Sequence, residues 1–230
     1  MKRNQDGWIE AYERKGSLWI HDGNPRRPHA LLRGGEHSSG FFNSDGIIED
    51  ACLLDEAAGD LVWLMCQQGM RLYESTRVVG PAMGAITLAH DLARWITVSH
   101  QRGNVSVSNC MCSYVMKEGE GDDLKMVFKR SPPKPGEIIL LCEDVLTTGG
   151  SVKRLMKAVE ETAGNQVQFA DFVAVLVNRS GLRSVNGKQI VALIDKPMPK
   201  WKPEGCPLCA QGSEAISPKG ENWARLNAEY

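Results

Sequence analysis

Residues 138–151, Ile-Ile-Leu-Leu-Cys-Glu-Asp-Val-Leu-Thr-Thr-Gly-Gly-Ser, put an apolar run, two adjacent carboxylates and a turn of hydroxyls and glycines in direct succession. The run Ile138 to Leu141 has the pattern of a strand buried on both faces, and Val152, Leu155, Met156 and Val159 recur at helical spacing after Ser151. The polar turn therefore joins a strand to a helix. In an open α/β sheet this places Thr147 to Ser151 at the carboxyl end of a strand and at a helix N-terminus, where free N–H groups favour a phosphate. Gly149 and Gly150 let the backbone close around such an anion.

Glu143 and Asp144 would repel that phosphate, so they must face another part of a ligand. Sugar hydroxyls donate hydrogen bonds to carboxylates, and magnesium takes carboxylate oxygens. The segment thus asks for a ligand with phosphate, sugar hydroxyls and a metal. A nucleoside-triphosphate P-loop would need a Gly-Lys-Ser/Thr ending, which occurs nowhere in the chain.

Strand and helix patterns alternate from about residue 45 to 195, as in a parallel sheet with crossover helices. Helices are expected over Asp50 to Gln68 and Ala85 to Ser99, and strands at Val78-Val79, Val105 to Met116, Phe172 to Val177 and Ile190 to Ile194. Residues 117–136, dense in Gly, Asp, Lys and Pro, form a long polar connection of the kind that is usually a functional lid or disordered. Beyond Pro197 the chain is expected to be irregular.

At 230 residues and 42% hydrophobic content, the chain can bury one sizeable core. A net charge of −1 gives no electrostatic case for nucleic acid or an anionic membrane as the main partner. No apolar stretch approaches the roughly 18–20 residues of a membrane helix, and the first ten residues lack a signal-peptide apolar core, so a cytoplasmic protein is expected. Seven cysteines, an odd number, suit reduced thiols better than a disulfide framework. Cys206 and Cys209, spaced Cys-x-x-Cys, are candidate zinc ligands, although their spacing from Cys110 and Cys112 matches no familiar zinc module, and a turn with two free thiols is the simpler reading.

Glu143 to Ser151 resembles the phosphoribosyl-pyrophosphate motif of type I phosphoribosyltransferases, and the likeness extends in order over about residues 29–195. Val79 to Ala85 resembles that family's pyrophosphate loop, with Pro81, Ala82 and Gly84 offering backbone contacts; Gly84 stands where some relatives carry lysine. Leu32 to Asn43 resembles the N-terminal segment of orotate-specific members. There Arg33 would contact the base or diphosphate, and Phe41 and Phe42 would give the ring an apolar wall. Arg179, at a strand end in Asn178-Arg179-Ser180, matches the arginine that grips orotate. Lys117-Glu118 resembles the start of the catalytic loop, in which Lys117, Lys125, Lys129 and Arg130 are candidate diphosphate-binding cations. Met116 departs from a place often held by arginine, and residues 117–136 contain no histidine.

The resemblance implies an α/β fold, a mostly parallel central sheet flanked by helices. Residues 1–44 would contribute to a base-binding hood, 45–196 would form the core and 197–230 an irregular extension. It also implies transfer of phosphoribosyl from 5-phosphoribosyl 1-pyrophosphate to orotate, with Mg2+ as cofactor. Glu143 and Asp144 would hold the ribose hydroxyls, with Asp144 also catalytic. Val145, Leu146, Thr147, Thr148, Gly149, Gly150 and Ser151 would also bind phosphoribosyl pyrophosphate, Thr147 to Ser151 holding the 5′-phosphate and Thr147 reaching the base as well. A homodimer is implied, with loop 117–136 reaching the neighbouring active site. A phosphoribosyltransferase for another nucleobase, and a non-catalytic sensor of phosphoribosyl pyrophosphate, remain open alternatives at this level.

Overall fold

The computed structural model describes residues 2–71, 75–102, 109–119 and 124–230. In chain order the elements are α1 (Gln5–Arg14), β1 (Leu18–Ile20), β2 (His29–Leu31), β3 (His37–Ser38), β4 (Gly40–Phe42), α2 (Asp45–Ile48), α3 (Ala51–Gln67), β5 (Arg77–Pro81), α4 (Ile86–Arg102) and β6 (Met111–Glu118). There follow β7 (Lys125–Val127), β8 (Ile138–Leu146), α5 (Gly150–Ala163), β9 (Gln168–Asn178), β10 (Ser184–Val185), β11 (Lys188–Asp195), β12 (Lys200–Trp201), α6 (Pro207–Ala210), β13 (Ala215–Ile216) and α7 (Glu221–Asn227).

Seven strands form the central sheet in the order β10-β11-β9-β8-β5-β6-β7. The five inner strands run parallel, and the two edge strands are antiparallel. β8 lies at the centre because it is apolar on both faces. Leu140 and Cys142 enter the core shared with α1, α3 and α4, while Ile139 and Leu141 enter the core beneath α5. Asp50 caps α3 by accepting from the N–H groups of Cys52 and Leu53, a contact of about 1 kcal/mol.

A second sheet, β12-β3-β2-β13, combines two strands from the N-terminal segment with two from the C-terminal extension. Its own small core is Trp19, Ala30, Ile216 and Leu226. This is the hood. The extension expected to be irregular carries short strands and helices, which two-residue strands cannot announce by periodicity. The boundary at residue 44 also shifts, because Trp8, Ala11 and Tyr12 of α1 belong to the main core.

Two further expectations are corrected. The strand expected over 105–116 runs as Met111–Glu118, so Lys117 lies within it; residues 103–108 are outside the described residues. The connection 117–136 is not wholly irregular, since β7 pairs antiparallel with β6 and aligns Lys117 with Met126 and Glu118 with Lys125. Met126 anchors β7 by packing into the core under α5. Residues 120–123 of that connection are likewise outside the described residues.

Candidate active site

The carboxyl ends of β5, β6, β8 and β9 converge beside the hood. β8 delivers Glu143 and Asp144, then turns through Thr147 and Thr148, both exposed, into α5. Gly149 adopts φ +75° at the helix N-cap, and a Cβ there would lie 2.9 Å from Val185 Cγ2. Only glycine meets both demands. The side chain of Leu146 is buried in the core, so among the motif positions it can offer a ligand only its backbone.

Glu143 is 6% exposed, and burial, reinforced by the adjacent charge of Asp144, pushes its carboxyl well above the usual carboxylate range. Opposing this, Lys117 pulls it down. Asp144 lies against the β5–α4 loop, where a Cβ on Gly84 would fall 2.5 Å from its Oδ2. Pro81 is buried at the end of β5, paired with Val115, while Ala82 donates its N–H to Val115 O at 2.8 Å. Gly80 has backbone close on it: a Cβ there would fall 2.7 Å from Ala85 O and 2.8 Å from Cys142 Sγ.

Several cations face these carboxylates. Desolvation lowers the pKa of Lys117, as do Arg33 and Arg154, whereas Glu143 and Asp144 raise it; all five groups therefore share one neighbourhood. Arg33 is exposed in the β2–β3 turn. Lys129 is ion-paired with Glu118, and Lys125 and Arg130 are exposed on the same hairpin.

At the residues expected to meet the base, β4 pairs with β1 and alternation sends its two aromatics to opposite faces. Phe42 is 1% exposed and stacks edge-on with Tyr12 at 5.3 Å, so the expected two-ring wall reduces to Phe41. The Phe41 ring centroid lies 6.0 Å from the Arg179 guanidinium and 5.8 Å from Trp223. Arg179 is 1% exposed. Its backbone N–H donates to Leu146 O at 3.0 Å and its Nη2 to Ser38 Oγ at 2.8 Å, so it bridges the phosphoribosyl motif and the hood. Its Nε has no partner among the described residues, and burial pulls its pKa down to about 10.

A family model for the phosphoribosyl transferase domain matches residues 66–201. The chain belongs to the phosphoribosyltransferase family. Orotate phosphoribosyltransferase of Caldicellulosiruptor saccharolyticus is 31% identical over 215 residues, spanning 94% of this chain and 96% of that protein. That of Thermotoga maritima is 32% identical over 190 residues, covering 83% and 89% respectively. The crystal structure of orotate phosphoribosyltransferase from Aeropyrum pernix, 22% identical, superposes with a TM-score of 0.54 over 80% of this chain and 91% of that one, which shows the common fold.

Sequence reasoning missed two residues of this phosphoribosyltransferase. Ser38 holds Arg179 across the hood, and nothing local distinguishes it from other serines in 38–39. Arg154 sits one helical turn into α5, with both Nη atoms 3.6 Å from where a Cβ on Gly150 would be, and its buried Nε has no partner among the described residues. Its i+4 spacing from Gly150 was the available signal, since helical side chains lean toward the N-terminus.

Proposed function

We propose that this protein transfers the phosphoribosyl group of 5-phosphoribosyl 1-pyrophosphate to orotate, giving orotidine 5′-monophosphate and pyrophosphate. The observation that carries the choice of base is Arg179. A guanidinium 1% exposed, paired with a serine hydroxyl and with no carboxylate in salt-bridge contact among the described residues, is costly unless a ligand supplies the anion. Orotate has a carboxylate next to a ring carbonyl, which a planar guanidinium can hold in fixed geometry. Neutral purines and uracil would leave that cation only the more distant charge of Glu36 and the Phe41 ring.

Thr147, Thr148 and the N–H groups opening α5 hold the 5′-phosphate, and Glu143 and Asp144 accept from the ribose hydroxyls. The reacting C1–oxygen bond breaks with its electron pair leaving on the diphosphate. The orotate ring nitrogen bonds to the oxocarbenium-like C1, and its proton passes to the departing diphosphate. No nucleophilic side chain is required; Arg179 and Phe41 hold the base on line, while Lys117 and Arg33 take up leaving-group charge, a role supported by the mutual influence of Lys117, Arg33 and the two carboxylates. Two carboxylates beside a glycine that leaves Asp144 open suit Mg2+, a hard ion that binds through few carboxylates and substrate phosphates. When bound it would neutralise diphosphate charge.

The proposal includes a homodimer whose β6–β7 hairpin presents Lys125, Lys129 and Arg130 to the neighbouring site, with sedimentation velocity as the check. It also places the protein in the cytoplasm, supported by seven unpaired cysteines. The deciding assay follows orotate absorbance with phosphoribosyl pyrophosphate and Mg2+, with hypoxanthine, guanine and uracil in parallel. Turnover of orotate alone supports the assignment. Turnover of another base alone overturns it, and binding without turnover of any base indicates a sensor.

A further inference from the structure

We propose that His29, His37, Cys206 and Cys209 bind a zinc ion that fastens the N-terminal and C-terminal parts of the hood together. In the β2–β3 register Leu31 lies opposite His37, so His29, two residues earlier, shares a sheet face with His37. Cys206 caps α6 and Cys209 follows one turn later, so both thiols point to one side. Residues 177 positions apart thereby meet.

The spacing is close to that of a tetrahedral site. A tetrahedron with metal–nitrogen bonds of about 2.0 Å and metal–sulfur bonds of about 2.3 Å has edges of about 3.3–3.8 Å. Here His29 Nε2 lies 3.0 Å from His37 Nδ1, Cys206 Sγ is 3.5 Å from His29 Nε2, and Cys209 Sγ is 3.6 Å from His29 Nε2 and 3.2 Å from His37 Nδ1. All four ligand atoms lie within 4.8 Å of one another. Two thiolates and two neutral imidazoles would cancel the charge of a divalent ion, which suits a largely buried site.

The surroundings fix one ligand's tautomer. Ser213 Oγ donates its single proton to Arg27 O at 2.6 Å, so toward His29 Nδ1, 2.9 Å away, it must accept. Nδ1 of the neutral imidazole therefore carries the proton, and Nε2 turns an unprotonated lone pair into the cluster, the arrangement typical of metal-ligating histidines. Cys209, the least buried of the four, leaves a path for the ion. Ligand types and closed coordination favour zinc in a structural role. His37 adjoins Ser38, the partner of Arg179, so the ion would also steady the base-binding side.

The test is metal analysis of the purified full chain, followed by cobalt titration of chelator-treated protein. A stoichiometric zinc, tetrahedral thiolate–cobalt absorption on titration, and loss of both in Cys206→Ser/Cys209→Ser but not in Cys52→Ser are expected. Because the double variant could misfold, protection of two thiols from a thiol reagent by zinc is measured on wild-type protein. Metal-free protein that shows no cobalt spectrum and no thiol protection would leave only a His–His hydrogen bond and overturn the proposal. Stoichiometric iron in place of zinc would overturn the choice of ion. These readouts do not involve turnover, so they stand apart from the base assignment.

Discussion

Arg179 Nη2 donates to Ser38 Oγ at 2.8 Å although 141 positions separate the two residues, and the same hydroxyl donates its one proton to Pro199 O at 2.7 Å. One serine of β3 thus joins the arginine that follows β9 to the C-terminal extension. Substituting Arg179→Ala is expected to lower kcat/KM for orotate by about 10²–10³, the usual loss when one partner of a buried charged contact is removed. Affinity for phosphoribosyl pyrophosphate should stay near wild type. Arg179→Lys should not restore turnover, because a point charge lacks the planar fork. Ser38→Ala should cost about tenfold in the same ratio. Unchanged orotate kinetics in Arg179→Ala would remove Arg179 from the site.

Glu143 gives a stability prediction opposite in sign to its activity prediction. Its folded pKa is raised, so above the ordinary carboxylate value the native state binds more protons than the unfolded state. Stability therefore falls as pH rises from about 4.3 through the raised value. Glu143→Gln should raise the ligand-free Tm at pH 7.5, by about 2–4 °C for each kcal/mol gained, and flatten its decline between pH 5 and 8. Turnover should nevertheless fall sharply. Thermal unfolding across that pH range checks the sign; a Tm lowered by the substitution would mean that the carboxylate is stabilising.

Two glycines separate folding from ligand binding. A Cβ at Gly80 would strike backbone, Ala85 O at 2.7 Å, whereas at Gly84 it would strike the Asp144 carboxylate, 2.5 Å from Oδ2. Gly80→Ala is expected to lower stability by about 1–3 kcal/mol through overpacking. Gly84→Ala should retain its Tm within a few degrees yet weaken phosphoribosyl pyrophosphate binding at least tenfold, because only a carboxylate has to move. Calorimetric titration beside thermal melts distinguishes the two.

The central sheet was legible because β8 is apolar on both faces and its polar ending names the ligand class. Arg179 was legible as a cation closing β9. Its partner Ser38 was not, since long-range hydrogen bonds leave no periodic trace. The hood strands are two or three residues long, too short for an alternation signal, and β7 is held by Met126 inside an otherwise polar stretch. Phe41 and Phe42 read as one wall only while strand pairing was unknown; pairing with β1 puts Phe42 in the core. Cys206 and Cys209 were visible as a pair, but their histidine neighbours lie far back in the chain.

Arg154 offers the sharpest test of the phosphate cradle. Its guanidinium overlies Gly150, where α5 begins, and its buried Nε lacks a partner among the described residues, so a phosphate in the turn would meet both a helix N-terminus and a fixed cation. A charge-assisted hydrogen bond is worth about 1.5–3 kcal/mol, so Arg154→Ala should weaken phosphoribosyl pyrophosphate binding by roughly 10- to 100-fold. The gap between variant and wild type should narrow as salt rises, because an accessible anion site is screened. Arg154→Lys should recover part of the affinity by charge alone. Arg154 also borders the groove formed by Leu124, Met126 and Lys157 outside α5, which supplies a competing structural role. If Arg154→Ala lowers the Tm while affinity and its salt dependence stay unchanged, the arginine serves that groove and the cradle relies on backbone N–H groups and Thr148.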